Sequence, residues 1–252
     1  MNNCEELVRA EGLYRSFSKY GNKTEVIKGI DLCICRNELT AIMGRSGSGK
    51  TTLLKLLGLI DRPTDGSIIY KGENSRKLFG DRLAAIHRND IGFVYQDYYL
   101  MDSLSVLENI MLPKILNHEE TGEAMKSAMA ISEKMEISSL LDKRPYELSG
   151  GEKQRAAICR ALINDPELIL ADEPTGNLDT ASADIVMRHF AMIHRSLNTT
   201  IVIVTHDPSV ASCCERVVFL KDGLITVDIR NNGDREVFFD RIIENQKNVL
   251  KG

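Results

Sequence analysis

A glycine-rich stretch that begins at Gly44 and reads GRSGSGKT gives the clearest chemical signal in the sequence. Glycines at this spacing allow successive backbone N–H groups to turn inward around an anion, and a helix start adds the positive end of its dipole. The Lys50 ammonium can then reach the outer phosphates of a nucleotide, and the Thr51 hydroxyl can bind Mg²⁺.

The alternative for this stretch is a chance Gly- and Ser-rich turn. The stretch follows a predicted strand and precedes a predicted helix, which is the context that phosphate binding requires. We therefore predict a phosphate-binding loop formed by Gly44, Arg45, Ser46, Gly47, Ser48, Gly49, Lys50, Thr51 and Thr52.

Two adjacent carboxylates, Asp172 and Glu173, follow the apolar run 168–171. The run predicts a buried parallel strand, and ligands of open α/β sheets bind beyond the carboxyl ends of such strands. Asp172 is thus the expected Mg²⁺ ligand, and Glu173 is placed to polarise a water molecule. Taken alone, the pair also fits a helix start or a solvated loop. The phosphate-binding loop favours the metal interpretation.

A second candidate phosphate site lies in the sequence LSGGE at 148–152. Ser149 and Glu152 have the spacing of a capping box. A capped helix start flanked by Gly150 and Gly151 also offers free N–H groups to a phosphate, so both interpretations can hold. The chain therefore has two predicted phosphate-binding helix starts but one lysine loop, and these serve either different nucleotides or one shared nucleotide.

The elements that must position these residues are predicted by periodicity. Residues 7–43 have a strand pattern, and apolar runs of buried-strand length recur at 168–171 and 201–204. Between about 97 and 164, apolar residues recur at helical spacing and strand-like runs are absent. Strands that alternate with helices predict a mainly parallel α/β sheet that carries a helical insertion.

Composition excludes several classes of protein. The chain has 252 residues, 43% of them hydrophobic and 27% charged, which is typical of a globular fold. Its net charge of −4 is not typical of a nucleic-acid-binding protein, which would normally be basic. No run approaches the roughly 20 apolar residues of a membrane span, and the acidic N-terminus lacks a signal-peptide pattern. The six cysteines lack zinc-site spacing and are expected to be reduced core residues.

Together with three further motifs, these stretches resemble the ATP-binding subunit of an ABC transporter. LSGGE matches the family signature, Gln96 in GFVYQ matches the Q-loop, Asp179 in GNLD the D-loop, and His206 in VTHD the switch histidine. Tyr20 is similar to the aromatic residue that stacks on adenine, with Tyr14 and Phe17 as competitors.

The resemblance implies an α/β fold: a P-loop NTPase core with a mainly parallel sheet, an N-terminal antiparallel β part and an inserted helical subdomain. The core is expected at 1–95 and 166–252 and the helical signature subdomain at 96–165, with the whole chain one ABC transporter domain. The implied cofactors are ATP and Mg²⁺.

The resemblance also implies how the site works. Two copies sandwich two ATP molecules, with Ser149, Gly150 and Gly151 of one copy facing the phosphate-binding loop of the other. Glu173 is the implied general base or water-positioning group, and His206 steadies the γ-phosphate. Gln96 senses the γ-phosphate and joins Thr51 and Asp172 around Mg²⁺, and Asp179 belongs to the nucleotide-binding set.

Within the family, the stretch ADEPTGNLD at 171–179 is similar to the lipoprotein-release, macrolide-efflux and bacitracin-type branch. Residues 102–113 and 233–243 are similar to bacitracin-resistance cassettes, although 233–243 also fits a generic amphipathic helix. A cassette of this kind implies a separate integral-membrane permease that removes antimicrobial peptides, with Tyr95–Leu100 in the groove that receives it. It also implies a sensor kinase reached through the permease, and a location on the cytoplasmic face of the membrane.

Two alternatives stay open. The first is a lipoprotein-releasing or macrolide-type export cassette. The second is an ABC-type ATPase that acts on DNA or ribosomes. This second class is disfavoured, because the DNA machines carry long coiled coils between the residues that correspond to Lys50 and Asp172, and this chain lacks sustained heptads there. Ribosome-acting members carry two cassettes per chain, whereas the motifs quoted above indicate one cassette in this sequence. No nucleic-acid partner is expected.

Overall fold

The computed structural model describes residues 5–19 and 22–251. The chain forms two compact units, of which the first comprises the residues up to Leu83 and those from Thr200 onward, and the second comprises Ala84–Thr199. The described residues contain ten strands: β1 (Glu6–Lys19), β2 (Asn22–Cys35), β3 (Leu39–Met43), β4 (Asp65–Tyr70), β5 (Glu73–Asn74), β6 (Ile91–Tyr95), β7 (Leu168–Asp172), β8 (Thr200–Thr205), β9 (Arg216–Lys221) and β10 (Leu224–Arg230).

The same residues contain eight α-helices: α1 (Lys50–Leu57), α2 (Gly80–Asn89), α3 (Val106–Leu116), α4 (Thr121–Lys134), α5 (Gly150–Leu162), α6 (Thr180–Leu197), α7 (Pro208–Ala211) and α8 (Arg235–Lys251). Short 3₁₀-helices occur at Ser75–Lys77, Ser138–Leu140 and Pro145–Glu147. Among the described residues, no helix combines the length and the apolar character that a membrane crossing needs.

The first unit contains an antiparallel sheet with the strand order β2-β1-β4-β5. Strand β1 pairs with β2 on one side and with β4 on the other. Its apolar residues Val8, Ala10 and Leu13 are buried. This sheet is the N-terminal antiparallel β part that the resemblance implies.

A parallel group of strands in the first unit carries the phosphate-binding loop. Strand β3 lies between β8 and β9 and runs parallel to both, while β10 pairs antiparallel with β9. Every residue of β3 and β8 is buried, as expected for central parallel strands flanked on both faces. The strands predicted at 39–43 and 201–204 are therefore confirmed.

The second unit combines the parallel pair β6 and β7 with helices α3 to α6. The predicted strand at 168–171 is confirmed as part of β7. All residues from 97 to 164 are described, and they form helices and turns without a strand, as predicted. The units divide near residues 83 and 199, whereas the subdomain boundaries expected at 95/96 and 165/166 stay predictions.

Of the six cysteines, Cys4 lies outside the described residues, and the other five agree with the predicted reduced state except at one position. Cys33, Cys159, Cys213 and Cys214 are not disulfide-bonded, whereas Cys35 is, so the expectation of reduced cysteines is wrong for Cys35. Burial raises the pKa values of the Cys159 and Cys214 thiols. These two residues are therefore unreactive core side chains.

Candidate active site

The glycine-rich residues form the loop between β3, which ends at Met43, and α1, which begins at Lys50. Gly47 and Gly49 have φ angles of 80° and 103°, in the left-handed region that favours glycine. A Cβ atom at Gly47 would meet no atom within 4 Å, whereas one at Gly44 would lie 2.3 Å from the Leu220 carbonyl oxygen. The loop is thus packed against β9 at Gly44 and open at Gly47.

The Lys50 side chain lies against the backbone of this loop. Its Nζ donates to the carbonyl oxygens of Gly44 and Arg45, at 2.9 and 3.1 Å. The Ser48 hydroxyl is buried and has no hydrogen-bond partner among the described residues. An ammonium, an orphaned hydroxyl and the N–H groups of a helix start are the donors that a phosphate chain accepts from. The loop therefore fits the phosphates of a nucleotide.

In the second unit, parallel pairing places the other candidate residues at one sheet edge. Tyr95, the last residue of β6, pairs with Asp172, the last residue of β7, so Gln96 and Glu173 follow at the same end. This edge collects an amide and two carboxylates, whose oxygens suit Mg²⁺. Thr51, the other predicted Mg²⁺ ligand, is exposed in the first turn of α1 in the first unit.

Glu173 has an unusual backbone conformation. Its φ angle is 47°, in the left-handed region. The Gly176 N–H donates to the Glu173 carbonyl oxygen at 3.0 Å, which closes a tight turn after β7. Left-handed non-glycine residues are uncommon and cluster at functional sites.

The predicted capping box at the start of α5 is confirmed. The Glu152 N–H donates to the Ser149 hydroxyl at 3.4 Å, and the Glu152 carboxylate accepts from the Ser149 N–H and hydroxyl at 2.7 Å each. The Ser149 hydroxyl, and then its backbone N–H, hold the pKa of Glu152 below its ordinary value. Gly150 and Gly151 occupy the first turn of the capped helix.

Asp179 caps the next helix. Its Oδ1 accepts from the Ser182 N–H at 3.0 Å and its Oδ2 accepts from the Ser182 hydroxyl at 2.7 Å. The Ser182 backbone N–H, and then the hydroxyl, lower the pKa of Asp179. Both carboxylate oxygens are thus engaged at the start of α6 within this chain.

His206 follows β8 directly and is exposed in the first unit. Its carbonyl oxygen accepts from Gln246 Nε2 of α8 at 3.3 Å. Tyr20 lies outside the described residues. Of its competitors, Phe17 is 43% exposed and Tyr14 is 41% exposed, and the Arg15 guanidinium lies 4.4 Å from the centre of the Phe17 ring.

Sequence reasoning missed two side chains that hold the segment after β6. Asn177 is hydrogen-bonded to Gln96 and Asp97. Arg160, in the last turn of α5, donates to the carbonyl oxygens of Tyr98 and Tyr99, whose φ angles are 61° and 46°. Asn177 carries a signal because it belongs to the GNLD motif, whereas Arg160 has the pattern of any polar helical residue.

Residues 27–176 match the family model described as ABC transporter. The chain belongs to this family. It is an ATP-binding and ATP-hydrolysing subunit of an ABC transporter.

Similar ABC transporter subunits cover most of the chain. The ABC transporter ATP-binding protein YxdL of Bacillus subtilis is 43% identical over 244 residues, which are 97% of this chain and 93% of that protein. The bacitracin export ATP-binding protein BceA of Halalkalibacterium halodurans is 41% identical over 247 residues, 98% of this chain and 97% of that protein. The lipoprotein-releasing system ATP-binding protein LolD of Shewanella denitrificans is 41% identical over 204 residues, 81% of this chain and 88% of that protein.

Solved ABC cassettes share the fold. The dimeric structure of MJ0796, a bacterial ABC transporter cassette, has a TM-score of 0.84 at 35% identity and covers 90% of this chain and all of that one. A dimeric post-hydrolysis state of the same cassette, bound to ADP and Pi, has a TM-score of 0.83. The predicted fold class is therefore confirmed.

Proposed function

We propose that this ABC ATPase powers a separate permease that provides resistance to antimicrobial peptides of the bacitracin type. The supporting observation is the extent of the similarity to the bacitracin export protein BceA, which spans 98% of this chain and 97% of that protein. An alignment of 247 residues leaves out at most five of the 252, so it includes most of α8.

A lipoprotein-releasing or macrolide-type export cassette is the second candidate. The similarity to the lipoprotein-releasing protein LolD has the same 41% identity but extends over 204 residues. The difference in extent favours the bacitracin type over the lipoprotein-releasing type.

The catalytic unit of the proposal is a head-to-tail dimer of two copies with two bound ATP molecules. The glycine-flanked helix starts at α1 and α5 both suit phosphates. In the dimer, Ser149, Gly150 and Gly151 of one copy face the loop Gly47–Thr51 of the other. The dimeric structures of the cassette MJ0796 support a dimer of two copies.

The proposed residue roles are those that the resemblance to ABC ATPases implies, and each suits the chemistry of its side chain. The loop from Gly44 to Thr52 holds the phosphates, with Lys50 as a point charge. Glu173 accepts a proton from, or orients, the attacking water, and the His206 imidazole holds the γ-phosphate. Mg²⁺, when bound, neutralises charge on the phosphate oxygens. Its proposed ligands are Thr51, Gln96 and Asp172, and Tyr20 and Asp179 complete the nucleotide-binding set.

The permease is proposed to dock beside the segment that follows β6. Tyr99 is 62% exposed and Met101 is 48% exposed, so this segment presents apolar side chains to a partner. We assign it to a helical subdomain at 96–165, carried by the core at 1–95 and 166–252. Docking holds the protein on the cytoplasmic face of the membrane and links it to a sensor kinase through the permease.

The experiment is a tagged purification from detergent-solubilised native membranes, with mass spectrometry of the co-purifying proteins. A permease with many spans and a large extracellular domain supports the proposal. A permease with about four spans favours the lipoprotein or macrolide type. Recovery with ribosomes or DNA, and without a membrane protein, contradicts the transporter assignment.

A further inference from the structure

Asn177 forms an amide clasp with the residues that follow β6. Gln96 Nε2 donates to Asn177 Oδ1 at 3.1 Å. In return, Asn177 Nδ2 donates to the Gln96 carbonyl oxygen at 3.2 Å and to Asp97 Oδ1 at 3.3 Å. Asn177 therefore binds both the side chain and the backbone of Gln96.

The clasp follows from the topology of the second unit. Because β6 and β7 are parallel and end in register, the turn after β7 and the turn after β6 emerge at the same edge. A Cβ atom at Gly176 would lie 2.9 Å from Gln96 Nε2. The missing side chain at Gly176 lets Gln96 approach the backbone closely enough to reach Asn177.

The hydrogen-bond partners fix the orientation of both amides. The Gln96 carbonyl oxygen only accepts hydrogen bonds, so the atom of Asn177 that contacts it must be the Nδ2 donor. This leaves Asn177 Oδ1 as an acceptor, which requires the Nε2 end of the Gln96 amide. Asn177 thus accepts a hydrogen bond from Gln96 Nε2. The other end of the Gln96 amide, Oε1, is the atom that Asn177 does not bind.

We propose that Asn177 is a positioning residue that presents Gln96 Oε1 to Mg²⁺, an inference that rests on the proposed Mg²⁺ role of Gln96. Magnesium takes oxygen ligands and demands near-ideal geometry, so a glutamine side chain with three free torsions gains from being held. Asn177 lies two residues before the Asp179 cap of α6. A shift of the turn at 176–179 therefore moves the proposed Mg²⁺ ligand directly.

The test uses the substitution Asn177→Asp, which replaces the donating nitrogen by an oxygen facing the Asp97 carboxylate and the Gln96 carbonyl. The readout is equilibrium binding of a fluorescent ATP analogue to the full chain, in Mg²⁺ and in EDTA. We expect the gain in affinity from Mg²⁺ to fall on the order of tenfold, while binding in EDTA changes by less than about twofold. An unchanged Mg²⁺ gain, or an equal loss under both conditions, overturns the proposal.

A charge-exchange variant separates positioning from general damage to the fold. Combining Asn177→Asp with Asp97→Asn restores an amide donor opposite a carboxylate and keeps the net charge of the pair. We expect this double variant to recover part of the Mg²⁺ gain, because the pair at 97 and 177 regains a donor and an acceptor while the Gln96 carbonyl oxygen still lacks the Nδ2 donor. The absence of any recovery contradicts the clasp. The matched control is Asn198→Asp, at an exposed asparagine that follows α6, which should leave both affinities unchanged.

The substitution Gln96→Ala distinguishes failure of the clasp from failure of the proposed function. If Gln96→Ala lowers the Mg²⁺ gain and Asn177→Asp does not, the positioning role of Asn177 is wrong and the ligand role of Gln96 stands. If Gln96→Ala leaves the Mg²⁺ gain intact, the proposed Mg²⁺ site itself is wrong. If Gln96→Ala and Asn177→Asp both lower the Mg²⁺ gain, and the double variant recovers part of it, the results support both the Mg²⁺ role of Gln96 and the positioning role of Asn177.

Discussion

At the scale of single residues, Glu173 is where backbone strain and the proposed chemistry coincide. Its left-handed φ of 47° costs about 1–3 kcal/mol in a non-glycine residue. Strand β7 is buried along its apolar residues and ends one residue earlier. The rest of the fold therefore holds Glu173 in a backbone conformation that is unfavourable for a non-glycine residue.

The substitution Glu173→Gln preserves the shape of this side chain and removes its basicity. We expect the rate of ATP hydrolysis to fall by at least about 100-fold, while ATP binding is retained and an ATP-bound dimer accumulates. Steady-state hydrolysis and size-exclusion chromatography with ATP measure the two effects. Glu133→Gln, at an exposed position of α4, is the control. Substantial hydrolysis by Glu173→Gln contradicts the general-base assignment.

At the scale of elements, Asn109 ties helix α3 to the turn before it. The residue is fully buried, and its Oδ1 accepts from the Met101 N–H at 2.7 Å. Its Nδ2 lies within hydrogen-bond distance of the carbonyl oxygens of Met101, Leu104 and Ser105, at 2.9 to 3.3 Å. One side chain thus contacts four backbone groups of the segment that leads from the proposed permease-docking segment into α3.

We expect Asn109→Ala to lower the free energy of unfolding by about 2–4 kcal/mol, because a fully buried side chain with four hydrogen bonds is lost and the Met101 N–H loses its acceptor. Urea denaturation followed by circular dichroism measures the change. Asn117→Ala removes an exposed bond from Asn117 Nδ2 to Asn89 Oδ1, and should cost less than about 1 kcal/mol. Equal losses in the two variants would show that the turn does not depend on Asn109.

The cap of α5 should make stability depend on pH. Because the Ser149 hydroxyl and N–H lower the pKa of Glu152 from its ordinary 4.5, the carboxylate stabilises the fold above that value. The contribution is lost as the pH falls through the lowered pKa. Glu152→Gln keeps the capping geometry without the charge, so its Tm deficit should be largest near pH 7 and shrink below pH 4.5. A deficit that is constant with pH contradicts the assignment.

Local patterns predicted the elements that carry motifs, because β3, α1 and β7 are each specified by neighbouring residues. Contacts across long sequence separations were beyond such patterns. The bond from Gln96 to Asn177 joins residues 81 positions apart, and it exists because β6 and β7 pair in parallel. Arg160 was missed for the same reason, since its carbonyl partners at Tyr98 and Tyr99 lie in a different element.

At the scale of the whole molecule, the open question is which copy each phosphate-binding helix start serves. The helix starts of α1 and α5 in one chain could both bind the same nucleotide. Alternatively, each could bind a different nucleotide, shared with the second copy of a dimer. Lys50→Ala removes the charged donor of the loop after β3, and Ser149→Arg blocks the capped start of α5. Each variant alone should lose hydrolysis under either arrangement, so single variants do not distinguish the two.

A mixture of the two variants does distinguish them. In a head-to-tail dimer, a mixed pair places the intact loop of the Ser149→Arg copy against the intact α5 start of the Lys50→Ala copy, which rebuilds one complete site. Half of the pairs in an equal mixture are mixed, each with one of two sites intact, so hydrolysis should recover to at most about a quarter of the wild-type rate. If both starts serve the same nucleotide within one chain, mixing rebuilds nothing, and the rate stays at the mean of the two inactive variants.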